Sequence, residues 1–249
     1  MNARYLGKLR IARPQRHLTG FTLVELLVAA SITAFVVGSA MLTLTDLLQI
    51  NQQAESETLR RQDLNRSLDF MSDEIRRASS IYTNAAQAET DVKASLPSFS
   101  LPAGAKAVLS LRIPIPPANN QTAIVIYYIQ NTSSPWVGDR LIRRWGPPII
   151  QDGSYEKMDK PGEWDLDLTD GLGDVLVDQI ESTLPVPNST CLAGWAANPA
   201  LTSREGFYNC VSPDGRSTEI HMRAHLASNY GGAPTVYEVS SNISARSRQ

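Results

Sequence analysis

Between Leu26 and Thr45 the chain runs for 20 residues without a charge. As a helix that run is about 30 Å long, the thickness of bilayer hydrocarbon. This stretch divides the chain into parts with different solvents. Residues 1–20 hold Arg4, Lys8, Arg10, Arg13 and Arg16 and no acid, a local charge of +5. The whole chain of 249 residues carries −2, so everything after Gly20 carries −7. Basic residues ahead of the span orient it with residues 1–20 in the cytoplasm and all beyond Asp46 outside the inner membrane. The acidic remainder gives no ground for expecting a nucleic-acid partner.

Glu25 stands one position ahead of that run, inside the apolar segment that begins at Phe21. A carboxylate in lipid costs on the order of 2–3 kcal/mol or more, so an intramembrane acid calls for a cationic partner at its own depth. The span contains none. A cleaved secretory signal, with Gly38-Ser39-Ala40 as a small-x-small site before Met41, leaves Glu25 unexplained. So does a plain signal anchor.

Leu18-Thr19-Gly20-Phe21-Thr22-Leu23-Val24-Glu25 resembles the cleavage and methylation motif of type IV prepilins and type II secretion pseudopilins. The resemblance implies that a membrane-embedded prepilin peptidase cuts after Gly20 and methylates the new amino terminus at Phe21. Glu25 becomes the fifth mature residue and pairs with the amine of a neighbouring subunit, so cleavage itself creates the missing cation. The implied partners are the peptidase, other pilin or pseudopilin subunits, assembly platform proteins and the inner membrane. The protein is then a single-pass inner-membrane protein with its leader in the cytoplasm and its head in the periplasm, later part of a pilus or pseudopilus. Many pilins carry proline at the twenty-second mature position; here it is Leu42, so no kink is implied there.

From Asp46 to about Ile81 the pattern stays helical. Leu64, Leu68, Met71, Ile75 and Ala78 recur at spacings of one helix face. Glu57–Arg61 and Asp73–Arg77 stand in the favourable acid-first order on the polar side. Leu47 to Glu57 carries a weaker stripe, exposed in a monomer and able to pack on adjacent subunits. Residues 21–80 would then form one rod of roughly 90 Å. Asn84 to Gly104, rich in Ala, Ser, Thr and Pro, reads as a connecting loop.

Strand signals follow at Leu109–Ile113, Ile124–Ile129, Leu141–Trp145, Ile220–Leu226 and, more weakly, Val236–Ile243. Asp174–Ile180 fits helix or strand equally. Strands after a long helix, without βαβ alternation, predict an α+β fold: a pilin-like long N-terminal helix, membrane-spanning in its first half, packed on a head with an antiparallel sheet. The divisions are a basic leader at 1–20, a transmembrane half-helix at 21–45, an amphipathic half-helix at 46–80 and a β-rich head at 81–249. Tyr127-Tyr128-Ile129 and Leu141-Ile142-Arg143-Arg144 resemble the larger minor pseudopilins of the J type and minor pilins of the W type.

The head offers few chemical groups. Cys191 and Cys210 lie beyond the membrane, where thiols oxidise, so a disulfide is the leading reading and two free thiols the alternative. The closed loop of about twenty residues would contribute about 3 kcal/mol on the loop-entropy model. His221 and His225 alternate with apolar residues, which on a strand puts them on the polar, solvent-facing side rather than into a metal pair. Asp165-Leu166-Asp167-Leu168-Thr169-Asp170-Gly171, with Asp174 and Asp178, gathers oxygens of the kind calcium takes. Its glycine is misplaced for an EF-hand, and Leu176 stands where the closing glutamate belongs, so a solvated acidic loop is favoured. Neither a nucleophile elbow nor a phosphate-binding loop occurs, and Trp136, Trp145, Trp164 and Trp195 form no evident stacking platform. The reading is a minor pilin or pseudopilin: a filament subunit, an enzyme's substrate and not an enzyme, without cofactor or metal. A filament-tip binding module with the same anchor is the alternative.

Overall fold

The computed structural model describes residues 20–114, 122–149, 155, 173–182, 191–200, 205–226 and 235–245. Helix α1 covers Leu23–Arg77, 55 residues with a single glycine and no proline to break them. Contacts divide the chain into two units, Met1–Gln52 and Gln53–Gln249, and the division falls inside α1.

In the first unit the described side chains of residues 20–52 are all exposed. The surface includes Phe35 at 79% and Leu42 at 71% exposure, in a helix long and apolar enough to cross a membrane. Leu47, Leu48 and Ile50 continue that exposed apolar surface past the span.

In the second unit the helical stripe behaves as its spacing predicts. Leu64, Leu68, Met71, Ile75 and Ala78 are buried; on the polar side Glu57 meets Arg61 as expected, whereas Asp73 pairs with Arg76, one residue short of the expected Arg77. After α1 come strand β1 (Ser80–Ile81), helix α2 (Ala85–Ser95), β2 (Lys106–Pro114), β3 (Thr122–Asn131) and β4 (Arg140–Trp145). Then follow β5 (Asp174–Ile180), β6 (Ala196–Asn198), β7 (Phe207–Val211), β8 (Ser217–Leu226) and β9 (Thr235–Ser244). The pairings are antiparallel, in the order β1-β2-β3-β4-β5-β8-β7-β6, with β9 on the other side of β8. The fold is α+β.

Alternation along the strands sends side chains to two cores. Leu109, Leu111 and Ile113 of β2 and Val125, Tyr127 and Ile129 of β3 join the α1 stripe. Ile126 and Tyr128 of β3 and Trp145 of β4 face the other way, into a second cluster with Ala88 and Val92 of α2. With both faces covered, β3 needs apolar residues at every position, and Ile124–Ile129 supplies them.

The structure departs from the sequence expectations in three further places. The segment 84–104 is not a plain loop, because α2 occupies Ala85–Ser95. Asn84 caps it, its side chain accepting from the Ala86 amide at 3.1 Å, and Ala85, Ala88 and Val92 form its buried face. The long helix ends at Arg77, and Ser80–Ile81 leaves it to pair with β2. Asp174–Ile180 resolves as a strand, and β6 and β7 add two that the hydrophobic pattern did not signal.

Candidate functional site

Gly20, Phe21, Thr22 and Glu25 lie together where α1 begins. Thr22 is the residue before the first helical turn, and its hydroxyl accepts from the Glu25 amide at 3.3 Å. The Glu25 carboxylate reaches back to accept from the Thr22 amide and the Thr22 hydroxyl, both at 3.0 Å. This is a reciprocal capping box, which satisfies two amides otherwise left without partners at a helix start. The sequence carries the signal, a threonine three residues ahead of a glutamate, but in an apolar run the acid stands out and Thr22 does not. Glu25 therefore has hydrogen-bond partners within its own subunit.

Gly20 is exposed, and a Cβ added there would meet none of the described residues within 4 Å. Among the described residues, neither packing nor backbone conformation demands glycine at this position. Phe21 is likewise exposed, at 87%. Further along, the span carries five hydroxyl side chains, and each donates back to a carbonyl of its own helix: Ser31 to Leu27, Thr33 to Ala29, Ser39 to Val36, Thr43 to Ser39 and Thr45 to Leu42. Their polar appetite is met without water or a partner. The small-x-small tripeptide Gly38–Ala40 lies in mid-helix.

Within the second unit, α1 is fastened to the sheet by a buried charged cluster. Glu74, 1% exposed, receives two hydrogen bonds from Arg144 of β4, Nε at 3.0 Å and Nη2 at 2.8 Å. The hydroxyls of Tyr127 and Tyr155 donate to the same carboxylate. Burial opposes the charge on Arg144, yet its bonds to Glu74 and the carboxylate's charge outweigh that and hold its pKa above the ordinary arginine value. Burial, followed by the nearby Glu74 charge, pushes the pKa of both tyrosines up. A second tie joins Arg60 of α1 to Asp178 of β5 at 2.6 Å, and Asp178 also accepts from the Val137 amide at 2.9 Å.

That tie bears on the calcium reading. Asp178 is committed to an arginine and an amide, while Asp165, Asp167 and Asp170 lie outside the described residues. Cys191 and Cys210 are joined in a disulfide with Cα atoms 5.4 Å apart. His221 and His225 share one face of β8 as the alternation predicts, but both are half-buried rather than solvent-facing. The His221 ring stacks on Tyr208, centroids 4.5 Å apart. Trp145 is buried against Phe99, Trp136 is exposed and Trp195 half-buried; Trp164 lies outside the described residues. A groove of about 570 Å³ of mixed polar and apolar lining, beside α2 and β6, includes Asn84, Glu89, Lys106 and Asn198. Its two charged liners are engaged elsewhere, Glu89 with Lys93 and Lys106 with Glu205.

In comparison with known proteins, residues 16–41 fit the family model described as the prokaryotic N-terminal methylation motif. No curated protein and no solved structure shows significant similarity to the chain. The matched segment supports a chain processed by prepilin peptidase, with pilin subunits as its partners, and the helix behind it fits a single-pass inner-membrane anchor. Methylation motif, long apolar helix and antiparallel head together fit a type IV pilin or pseudopilin.

Proposed function

We propose that this chain is a minor pilin or pseudopilin, a structural and assembly subunit of a type IV pilus or type II secretion-like filament. Residues 1–20 are the leader, removed by cleavage after Gly20, and Phe21 becomes the N-methylated terminus. Residues 21–45 anchor the subunit, 46–80 extend the helix, and 81–249 form a head on the periplasmic side. Assembly platform proteins lift it from the membrane into the filament. The protein is the substrate of an enzyme and performs no catalysis of its own.

The observation that carries this reading is the state of the motif itself. Gly20 is a glycine that nothing among the described residues requires, at a junction matched by a methylation-motif model. A residue type with no internal reason is explained by a protein outside the chain that reads it. Glu25 is partnered before assembly by Thr22, so its proposed pairing with a neighbour's amine is an exchange of partners and not the rescue of a stranded charge. The resemblance to the larger J and W kinds rests on the residues of Tyr127-Tyr128-Ile129 and Leu141-Ile142-Arg143-Arg144, which lie on neighbouring paired strands.

Intact-mass and peptide analysis of protein recovered from membranes tests the reading. The expected terminus is N-methyl-Phe21. A terminus at Met41 identifies a secreted protein instead, and an intact Met1 a plain anchor.

A further inference from the structure

On β7 and β8, Phe207, Val211, Ile220 and Met222 face the core beneath α1, so the alternate residues lie on the opposite face. There the antiparallel register sets Cys210 against Glu219 and Tyr208 against His221. The Cys210 sulfur, a Glu219 carboxylate oxygen and a His221 ring nitrogen all lie within 4.8 Å of one another. Cys191 is bonded to Cys210, so a fourth donor is already at the same place.

The surroundings suit a bound cation. Cys210 is 2% exposed and the His221 side chain 13%, which shelters the group from bulk water. The Tyr208 ring lies against the imidazole with an angle of 7° between planes, fixing its orientation. His221 Nε2 is 3.2 Å from Glu219, whereas Nδ1 faces Glu238 of β9 at 3.9 Å. One ring nitrogen is thus turned towards the donor group and the other towards an outer carboxylate. At that distance Glu238 is a nearby outer carboxylate and not a hydrogen-bond partner of the ring.

We propose that Cys191, Cys210, Glu219 and His221 form a thiol-gated zinc site, with the disulfide and the metal as alternative staples of the same corner. Two thiolates, an imidazole and a carboxylate make a four-coordinate set of the types zinc takes. In the disulfide the sulfurs carry no charge to donate, so the oxidised site holds no zinc. A dithiol reductant opens it: two electrons and two protons pass to the sulfurs, the S–S bond breaks to two thiols, and the reductant leaves as a disulfide. Zinc then displaces the two thiol protons and bridges both sulfurs, the His221 nitrogen beside Glu219, and the Glu219 carboxylate. The inference stands independently of the filament reading.

The test uses full-length protein in detergent, oxidised or reduced with a phosphine, titrated with Co²⁺ as a spectroscopic probe and then with Zn²⁺. Reduced protein should take one Co²⁺ with a near-ultraviolet thiolate band and the visible absorption of tetrahedral cobalt, both erased by Zn²⁺. Oxidised protein should show neither. Glu219→Gln and His221→Gln should each weaken binding by at least about tenfold, the loss typical even of an outer partner. Absence of the thiolate band after reduction, equal binding by both redox forms, or an unchanged affinity in Glu219→Gln overturns the proposal. If His221→Gln does not fold, Glu219→Gln decides alone.

Discussion

A methyl group added to Gly20 enters open space, so Gly20→Ala should leave expression, insertion and the head untouched while the leader stays attached. The measurement is the mass of membrane-extracted protein, which should retain residues 1–20. Thr22 and Glu25 separate two roles that share one carboxylate. Thr22→Val removes the cap and costs about 1 kcal/mol at the helix start, but leaves the acid free to pair, so incorporation into sheared filaments should stay near normal. Glu25→Ala removes both roles and should be processed yet incorporate poorly. Equal losses in the two variants would assign the effect to capping. At this scale the sequence was legible wherever a residue contradicted its surroundings: an acid in an apolar run stands out. Thr22 does not stand out, because a threonine before a helix is ordinary until its bonds are seen.

Helix α2 depends on Asn84 at its start, where the side chain accepts from Ala86. Asn198 binds the same turn, accepting from the Ala85 amide and donating to the Thr83 carbonyl. Asn84→Ala should lower stability by about 1 kcal/mol. Glu74→Gln is a different kind of loss, since it leaves the Arg144 charge buried without its anion and should cost about 3–5 kcal/mol. Thermal melting of the full chain in detergent should rank the two in that order. Elements were legible where burial follows a period, as in the α1 stripe and in β3. They were obscured where composition misleads. Ala85–Ser95 looks like linker because alanine and serine fill loops, although alanine is also the best helix former. Strand β7 contains Asn209 and Cys210 among aromatics, so its apolar alternation is broken, and only pairing with β8 reveals it. Nothing in the spacing of Glu74, Tyr127, Arg144 and Tyr155 announces a cluster, for it is made by four separate segments of the chain.

For the head as a whole, that cluster sets the behaviour in alkali. The pKa values of Tyr127 and Tyr155 are raised by burial and then by Glu74, so the folded head keeps protons that the unfolded chain gives up near about pH 10. A raised pKa of this kind contributes stability fully below that value and loses it as the pH climbs beyond. Urea unfolding from about pH 8 to about pH 11 should show stability falling above about pH 10. Tyr127→Phe should lower neutral-pH stability by about 1–3 kcal/mol, because a Glu74 oxygen loses its donor, and should make the alkaline fall shallower. Gly173 adds a constraint at the edge of the same region: at φ +76, a Cβ there would lie 2.3 Å from the Arg144 carbonyl oxygen. Any side chain at 173 displaces the strand that carries Arg144.

The five back-bonded hydroxyls of the span determine what it means for this helix to change surroundings. Each has already spent its hydrogen on its own backbone, so none is released or recaptured when acyl chains are replaced by other side chains. Such a surface has no preferred azimuth and no specific grip, only shape and dispersion. The helix can therefore rotate, slide or be withdrawn from the bilayer without first breaking a polar contact. The resistance to its extraction then rests with the exposed apolar side chains of the span, because the Thr22–Glu25 bonds are internal to the helix and travel with it.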